Sequence, residues 1–246
     1  MAKHNNKIER IEDLLAISNE NVTILEEEID LGTQQRYFVV TKRLTQNKES
    51  YRLLCDKYAS NKDDLFLPDL DLKIKKSMLV ILGTIADIDI YRTIEKVCKI
   101  DGELQKWAII ALQQCRMSLQ NELLERPSLF ISSGLGGKGK LLRYFCVFFH
   151  KNIHDFQRKL LDKELRITLS NVKGELEDLY FAPLYTHVTI LVPIQMNLPE
   201  KFQELVDECN LYGDFIFKNV LVTNTKRLSE GEITSIIAKI SNETVN

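Results

Sequence analysis

The sequence predicts two domains of different class, a helical domain over residues 1–126 followed by an α/β domain over residues 127–246. In the first part, apolar residues recur at spacings of three and four, which is the spacing of one face of an α-helix. Near Arg126-Pro127 the spacing changes to two, which is typical of β-strands. Beyond that point, strand-like and helix-like stretches alternate, and this alternation indicates an α/β domain.

Composition limits the functions that the chain can have. Its 246 residues suffice for one large or two small domains, and 44% of them are apolar, so each part can bury a core. The net charge of −2 argues against a dedicated nucleic-acid binder, because such domains are usually basic. The five cysteines are odd in number and never form a Cys-x-x-Cys pair, which argues against a disulfide framework or a zinc site.

The sequence also has the features of a cytoplasmic protein. Its first residues, MAKHNNKIERIEDLL, are too charged for a signal peptide. The longest apolar runs, such as Met78–Leu82 and Val188–Ile194, are far shorter than a membrane-spanning helix. Widely spaced cysteines within apolar stretches suit a reducing compartment. We therefore expect a cytoplasmic location and no membrane partner.

The first sixty residues favour helices with one ambiguous stretch. Residues 8–15 and the stretch from Asn47 to Tyr58 both place apolar side chains on one helical face. Between them, residues 21–44 contain RYFVVTKRL, which suits a strand by composition and a helix by context. The neighbouring helices favour the helix, and the strand remains an alternative.

Leu72 to Met117 contains three successive helical stripes. Asp87-Ile-Asp89 separates the first two, and Asp89 is a good N-cap for the second helix. Asp101-Gly102 separates the second from the third. The apolar faces are formed by Ile74, Met78, Ile81, Leu82 and Ile85, by Tyr91, Ile94, Val97 and Cys98, and by Leu104, Trp107, Ala108, Ala111, Leu112 and Cys115.

The segment KKSMLVILGTIADIDIYRTIEKV, followed by DGELQKWAIIALQQC, resembles a HEAT-type helical repeat of the bilin-lyase-like subset. Leu82-Gly83 stands where that family has Leu-Gly, and Asp87 stands where it has Asp, although Ile88 replaces the usual Pro. Leu112 follows Leu82 by 30 residues, close to the family period. Since one helix pair cannot bury its own apolar face, the flanking helices must complete the stack. The resemblance covers residues 72–117 and implies a protein-binding surface rather than catalysis.

The second half alternates strands and helices. Ser128–Ser132 and Arg143–Phe149 have strand compositions, and RYFCVFF is apolar on both faces, as expected of a central strand. A helix is predicted from Ile153 to Val172 with Gly174 as its left-handed end, although alternation at residues 165–169 leaves a strand open. Further strands are predicted for ELEDLYF, YTHVTILVPI and DFIFKNVLVT, and another helix is predicted to begin at Asn197. The residues Ser229-Glu-Gly-Glu232 form a capping box for the last helix. The order strand, helix, strand, strand, helix, strand resembles a ferredoxin-like sandwich.

One glycine-rich stretch suggests a phosphate site. The residues concerned are Gly134, Gly136, Gly137, Lys138, Gly139 and Lys140, with Arg143 close behind. They satisfy the GxxxxGK part of a P-loop, but Leu141 replaces the hydroxyl residue that would bind Mg²⁺, and a strand-like run follows where a helix should open. We interpret the stretch as a hairpin that joins Ser128–Ser132 to Arg143–Phe149, with solvated lysines at its tip. The alternative is a basic loop whose backbone amides hold an anion without metal.

Other candidate side chains favour structural roles. His150 and His154 have a metal-ligand spacing but lack a third ligand, and His187 lies within a predicted strand. Ser132-Ser133 has no base in view that could activate a hydroxyl group. RYFCVFF does not match the aromatic motif of RNA-recognition sheets. The acidic stretch NKDDLFLPDLDLK holds Leu65, Phe66 and Leu67, which are either a docking element or part of the core.

From the sequence, we expect a non-enzymatic protein that binds another protein through the concave face of its helices or the open side of its sheet. We assign no catalytic residue, metal or cofactor. The alternative is a phosphate- or nucleotide-binding α/β domain that uses Gly134–Lys140. The resemblance alone would also suggest a lyase acting on a bilin or another cofactor, but no residue supplies that chemistry.

Overall fold

A computed structural model describes residues 22–125 and 128–243. It contains both helices and strands, which confirms the predicted mixed class. The chain forms two compact units, one ending at Ser132 and the other beginning at Ser133. The predicted boundary at Arg126-Pro127 and the predicted helix over residues 8–15 lie outside the described residues. In the described ranges, none of the helices has both the length and the apolar character needed to cross a bilayer.

The first unit is mainly helical. Its elements are β1 (Val22–Ile24), α1 (Leu31–Thr45), α2 (Lys48–Ser60), a 3₁₀ helix (Lys62–Phe66), α3 (Leu72–Leu82), α4 (Ile88–Val97), α5 (Glu103–Leu124) and β2 (Leu129–Ile131).

Short polar side chains begin four of these helices. Asp30, Asn47, Asp71 and Asp87 each accept a hydrogen bond from a backbone N–H of the first turn, which satisfies a donor that the helix itself cannot pair. The predicted cap at Asp89 is therefore wrong by two residues, because Asp89 lies inside the first turn of α4. The ambiguous stretch at 21–44 divides into strand β1 and helix α1, so RYFVVTKRL is helical.

Helix α3 lies at the centre of the helical core. All five residues from Met78 to Leu82 are buried, and α3 packs against α1, α2 and α5. Tyr37 of α1 is fully buried, and its hydroxyl donates a 2.7 Å hydrogen bond to Gln114 Oε1 of α5. The ring centroids of Tyr37 and Trp107 lie 5.6 Å apart, so aromatic packing fixes α1 on α5.

The two short strands of the first unit form a parallel pair. Val22 is in register with Leu129, and Ile24 with Ile131. Leu129–Ile131 is therefore a strand, as predicted, but its partner is β1 and not the strand that starts near Arg143. The prediction of a hairpin between Ser128–Ser132 and Arg143–Phe149 is wrong, because β1 lies about a hundred residues upstream and no local pattern reveals that pairing.

The second unit contains one sheet and three helices. Its elements are β3 (Gly137–Lys138), β4 (Leu141–His150), α6 (Asp155–Asn171), β5 (Glu175–Phe181), β6 (Tyr185–Pro193), α7 (Leu198–Asn210), β7 (Ile216–Thr223) and α8 (Glu230–Glu243).

The sheet of the second unit is antiparallel throughout, with the order β7–β4–β6–β5. The two-residue strand β3 pairs with the start of β4 on the same side as β7. From β4 onward, the predicted order of strands and helices agrees with the structure. Residues 165–169 belong to α6, so the alternative of a strand there is wrong.

Both faces of the sheet are covered by apolar side chains. On one face, Cys146, Phe148 and Val188 pack with the buried faces of α6 and α7. On the other face, Phe145, Val147 and Phe149 pack with Leu135 and with Ile233 of α8. The central strand β4 is therefore apolar on both faces, as its sequence predicts.

Two helix ends in this unit test the predicted end signals. Ser229 and Glu232 exchange backbone and side-chain hydrogen bonds, which confirms the capping box of α8. The left-handed residue after α6 is Lys173, with φ of 57°, and not Gly174 as predicted. Gly174 is needed for a different reason, because a Cβ there would lie 2.8 Å from the carbonyl oxygen of Leu191.

Candidate functional site

The glycine-rich stretch forms a small hairpin at the start of the sheet. Gly137 and Lys138 pair with Leu142 and Leu141, and Gly139-Lys140 is the two-residue turn between them. Gly139 has φ of 59°, as the first central position of a type II′ turn requires. The stretch is thus a hairpin, but one that joins β3 to β4.

The residues before this turn are packed against the end of β7. Leu135 is completely buried, and its N–H donates a 3.0 Å hydrogen bond to the carbonyl oxygen of Asn224. A Cβ on Gly134 would lie only 1.7 Å from the carbonyl oxygen of Thr225, so no larger residue fits in this backbone position. Gly134 is therefore explained by the close packing of its backbone against the backbone of Thr225.

The cationic groups of the stretch contact carboxylates of β5. Arg143 donates from Nε and Nη2 to Glu177, at 2.5 and 2.9 Å, and from Nη1 to the carbonyl oxygen of Leu135, at 2.8 Å. Lys138 Nζ lies 2.6 Å from Glu175 Oε2. The hydrogen bonds from Arg143 lower the pKa of Glu177, and the bond to Glu175 raises the pKa of Lys138.

These two ion pairs differ in strength. The pair of Lys138 with Glu175 is exposed, and water screens such pairs so that they contribute little to stability. The pair of Arg143 with Glu177 is bidentate and largely shielded from water, which is the stronger arrangement. An anion bound at the loop would therefore have to compete with Glu177 for the guanidinium group.

The course of the chain after the loop also bears on nucleotide binding. The residues from Leu141 onward form strand β4, whereas the phosphate loop of a P-loop protein opens a helix whose N-terminal amides face the anion. The structure thus brings Lys138 and Arg143 together above β5 but places no helix N-terminus behind the glycines.

The three described histidines lie in separate environments. His150 is buried at the end of β4, where Nδ1 lies 2.7 Å from the carbonyl oxygen of Lys151 and Nε2 lies 2.9 Å from Thr186 Oγ1. Because a carbonyl oxygen only accepts, Nδ1 carries the proton and Nε2 accepts from the threonine hydroxyl. His154 is the N-cap of α6, and the ring of His187 stacks on Tyr180 with 5.0 Å between centroids.

Three of the described cysteines, together with Ser133, lack the surroundings of nucleophiles. Burial raises the pKa of the Cys98 and Cys209 thiols to about 12 and that of Cys115 to about 11, so these thiols are protonated at neutral pH. Ser133 Oγ donates a 3.1 Å hydrogen bond to the carbonyl oxygen of Gly136. Within the described ranges, no three His, Cys, Asp or Glu side chains are grouped so that they could hold a metal ion.

The helical unit presents an exposed apolar segment, Phe66–Ile74. Leu65 is buried against the helical core at 2% exposure and anchors the segment. The next apolar residues remain accessible, with exposures of 40% for Phe66, 50% for Leu67, 38% for Leu72 and 43% for Ile74. Leu65 therefore belongs to the core, whereas Phe66 and Leu67 are exposed, and their role as a docking element stays a prediction.

The sequence analysis missed a groove between α6 and the edge strand β5. It has a volume of about 430 Å³ and is lined on the helix side by Arg158, Lys159, Asp162 and Arg166. The guanidinium carbon of Arg158 lies 5.9 Å above the ring centre of Phe181. In the sequence, the groove is indicated only by the adjacent cations Arg158 and Lys159. They point to a groove only once it is known which strand lies beside α6.

Comparisons with known proteins add two similarities. No known protein family and no curated protein matches the chain. A solved structure assigned as a transposase from Deinococcus radiodurans R1 is 19% identical, with a TM-score of 0.33, over 43% of this chain and 93% of its own. The C-terminal domain of the MgtC protein from Mycobacterium tuberculosis is 14% identical, with a TM-score of 0.28, over 38% of this chain and 98% of its own. At TM-scores this low, neither similarity indicates a fold or a function.

Proposed function

We propose that this chain is a non-enzymatic protein that binds another protein through its helical unit. The observation that carries the proposal is the apolar segment Phe66–Ile74, where four large apolar side chains within nine residues remain accessible to solvent. Exposed apolar clusters of this kind are typical of protein-binding surfaces, whereas single exposed apolar residues are ordinary. The buried Leu65 anchors the start of the segment, which would reduce the entropy lost when a partner binds.

Charge narrows the kind of partner. Asp63, Asp64, Asp69 and Asp71 flank the apolar side chains, against Lys62 and Lys73 in the same stretch. The partner surface is therefore apolar at its centre and basic at its rim, since complementary charges at the rim steer association and exclude wrong partners.

The proposed architecture is consistent with this function. We propose that α3, α4 and α5 pack as a HEAT-like repeat, with Gly83 at the close approach of α3 to α5. We further propose that the second unit is a ferredoxin-like sandwich, on the basis of its order β7–β4–β6–β5 and the shared core of α6 and α7 on one face. The other face packs with α8, so the helical unit is the better candidate for the binding surface.

The test compares a double variant, Phe66→Ser with Leu67→Ser, with the control Ile88→Ser, which changes a more exposed apolar residue of α4 outside the segment. The wild type and both variants are used to capture partners from an extract of the cells that produce the protein. Binding of the captured partner is then measured with purified components. We expect the double variant to bind about tenfold or more weakly, since central apolar contacts carry most of the binding energy.

Because Phe66 and Leu67 are each at least 40% exposed, the double variant should still fold, and its melting temperature shows whether a loss of binding comes from a loss of folding. Equal binding by the double variant and the control, or the absence of any captured partner, would contradict the proposal.

A further inference from the structure

Strand β5 is an open edge of the sheet in the second unit. It pairs with β6 on one side, and no strand among the described residues pairs with its other side. An open edge presents a row of backbone N–H and C=O groups that can pair with another extended chain. A register shift between Leu176 and Asp178 marks a bulge in this strand.

The groove described above runs alongside this edge. Its floor on the strand side includes Leu176, Leu179 and Phe181, and its wall on the helix side includes Arg158, Lys159 and Arg166. A chain added beside β5 would therefore place every second side chain over this groove, because side chains alternate across a strand.

The helix wall of the groove carries cations that the described residues do not neutralise. Arg166 Nε lies 2.8 Å from Asp162 Oδ1, so that pair is satisfied. Neither Arg158 nor Lys159 forms an ion pair within the described ranges. The Nε atom of Arg158 is buried and has no hydrogen-bond partner there, a state that is costly for a charged donor.

Two carboxylate residues of β5, Glu177 and Asp178, also line the strand side of the groove. Glu177 is held by Arg143, which belongs to the same side of β4 as Phe145. Asp178 alternates with Leu179 and shares the face of Tyr180, which stacks on His187. The helix wall of the groove therefore keeps a net positive charge, because it has three cations, Arg158, Lys159 and Arg166, against the single carboxylate of Asp162.

We propose that an extended segment of a partner protein adds to β5 as a further strand and places acidic side chains over the groove, where a carboxylate meets Arg158 and Lys159. The planar guanidinium group pairs with a carboxylate through two parallel hydrogen bonds, which would satisfy the buried Nε. On the opposite face, the same segment carries neutral or basic residues, because Asp178 repels acidic ones.

A second copy of this chain does not fit the same edge. Antiparallel pairing of β5 with itself, centred between Leu176 and Glu177, would bring Glu175 of each copy opposite Asp178 of the other. Like charges on paired strands destabilise the pairing, and charged edge strands commonly prevent such association. The occupant is therefore a different chain, whose acidic and basic residues alternate.

The test uses the full chain and a capped synthetic peptide of seven residues. The peptide carries glutamate at its second, fourth and sixth positions, lysine at both ends and valine between the glutamates. A control peptide exchanges all glutamates and lysines, so that its lysines would face α6. Binding is followed by fluorescence polarisation, and hydrogen exchange of the β5 amides is followed by NMR.

We expect the first peptide to bind and to slow the exchange of alternate β5 amides, and the control peptide to bind about tenfold or more weakly. Arg158→Ala should weaken binding by about tenfold, and Arg158→Lys should restore only part of it because lysine lacks the planar fork. The matched control Lys163→Ala removes an exposed cation of α6 that lies outside the groove, and it should bind as the wild type does.

Several results would overturn the proposal. They are the absence of binding, binding that leaves β5 exchange unchanged, equal binding by Arg158→Ala, and a dimer whose formation depends on β5. Melting temperatures of the variants separate loss of binding from loss of folding. Since the groove and the apolar segment Phe66–Ile74 belong to different units, failure of one proposal leaves the other intact.

Discussion

At the scale of single residues, the glycine-rich stretch shows why a motif needs its surroundings. Lys138 and Arg143 were visible in the sequence as a basic cluster, but the carboxylates that hold them, Glu175 and Glu177, lie 37 and 34 residues further along the chain. No local pattern reveals a counter-ion at that distance. The cluster could therefore be predicted from the sequence, and its neutralisation could not.

These internal ion pairs predict that phosphate compounds do not stabilise the protein. We expect no measurable change in melting temperature with ATP, GTP or pyrophosphate, with or without Mg²⁺. A site filled at about 100 times its dissociation constant would add roughly 2.7 kcal/mol to the free energy of unfolding, which a thermal-shift titration detects easily. A clear increase that disappears in the Lys140→Ala variant would instead make Gly134–Lys140 an anion site.

At the scale of secondary-structure elements, the contact between α3 and α5 depends on a residue without a side chain. A Cβ on Gly83 would lie 2.9 Å from the carbonyl oxygen of Ala111 and 3.0 Å from the hydroxyl oxygen of Tyr37. Both of these neighbours belong to the helical core, so they have little room to move. The Leu-Gly pair at positions 82 and 83 thus sets how closely the two helices pack.

Gly83→Ala should therefore lower the free energy of unfolding by about 1–3 kcal/mol, the usual cost of overpacking a core. Gly32→Ala is the control, since its Cβ meets only ordinary contacts in α1, where alanine favours the helix by about 1 kcal/mol. Urea denaturation measures the free energy of unfolding of both variants. A Gly83→Ala protein as stable as the wild type would show that α3 and α5 can separate without cost.

Element boundaries also mark the limit of the sequence analysis. For most helices and strands, the sequence analysis predicted that the element exists and which type it is, because apolar periodicity indicates which face is buried. The end residues were less accurate, as Asp87 and Lys173 show, because a neighbouring Asp or Gly offers the same local chemistry. The pairing of β2 was missed entirely, since the apolar pattern of three residues does not specify which strand lies beside them.

At the scale of the whole molecule, the buried His150 and the partly buried His187 connect stability to pH. Burial lowers the pKa of His150 and of His187 below the ordinary value of 6.5. The unfolded chain therefore takes up protons on these side chains at a higher pH than the folded chain does. The contribution of these two histidines to the free energy of unfolding is therefore fully present above about pH 6.5 and is lost as the pH falls below it.

We expect the free energy of unfolding to decrease as the pH falls below about 6.5, because the unfolded chain then binds more protons on these histidines than the folded chain does. The double variant His150→Gln with His187→Gln should lose most of that dependence between pH 6.5 and pH 5. Urea midpoints at a series of pH values measure the effect. Acidic groups with lowered pKa values, such as Asp30 at about 2, act only below about pH 4 and do not interfere. Identical pH slopes in the wild type and the double variant would contradict the prediction.

The parallel pairing of β1 with β2 has a consequence for how the helices could be transplanted. The chain leaves this ladder after Ile24 and returns to it at Leu129, and these two points lie within about 10 Å of each other, the length of three extended residues. The five α-helices and the 3₁₀ helix between them therefore form one segment whose first and last residues lie close together. Such a segment has the geometry that domain insertion and circular permutation require, so it could be grafted into a surface turn of a host protein without forcing the two sides of that turn apart.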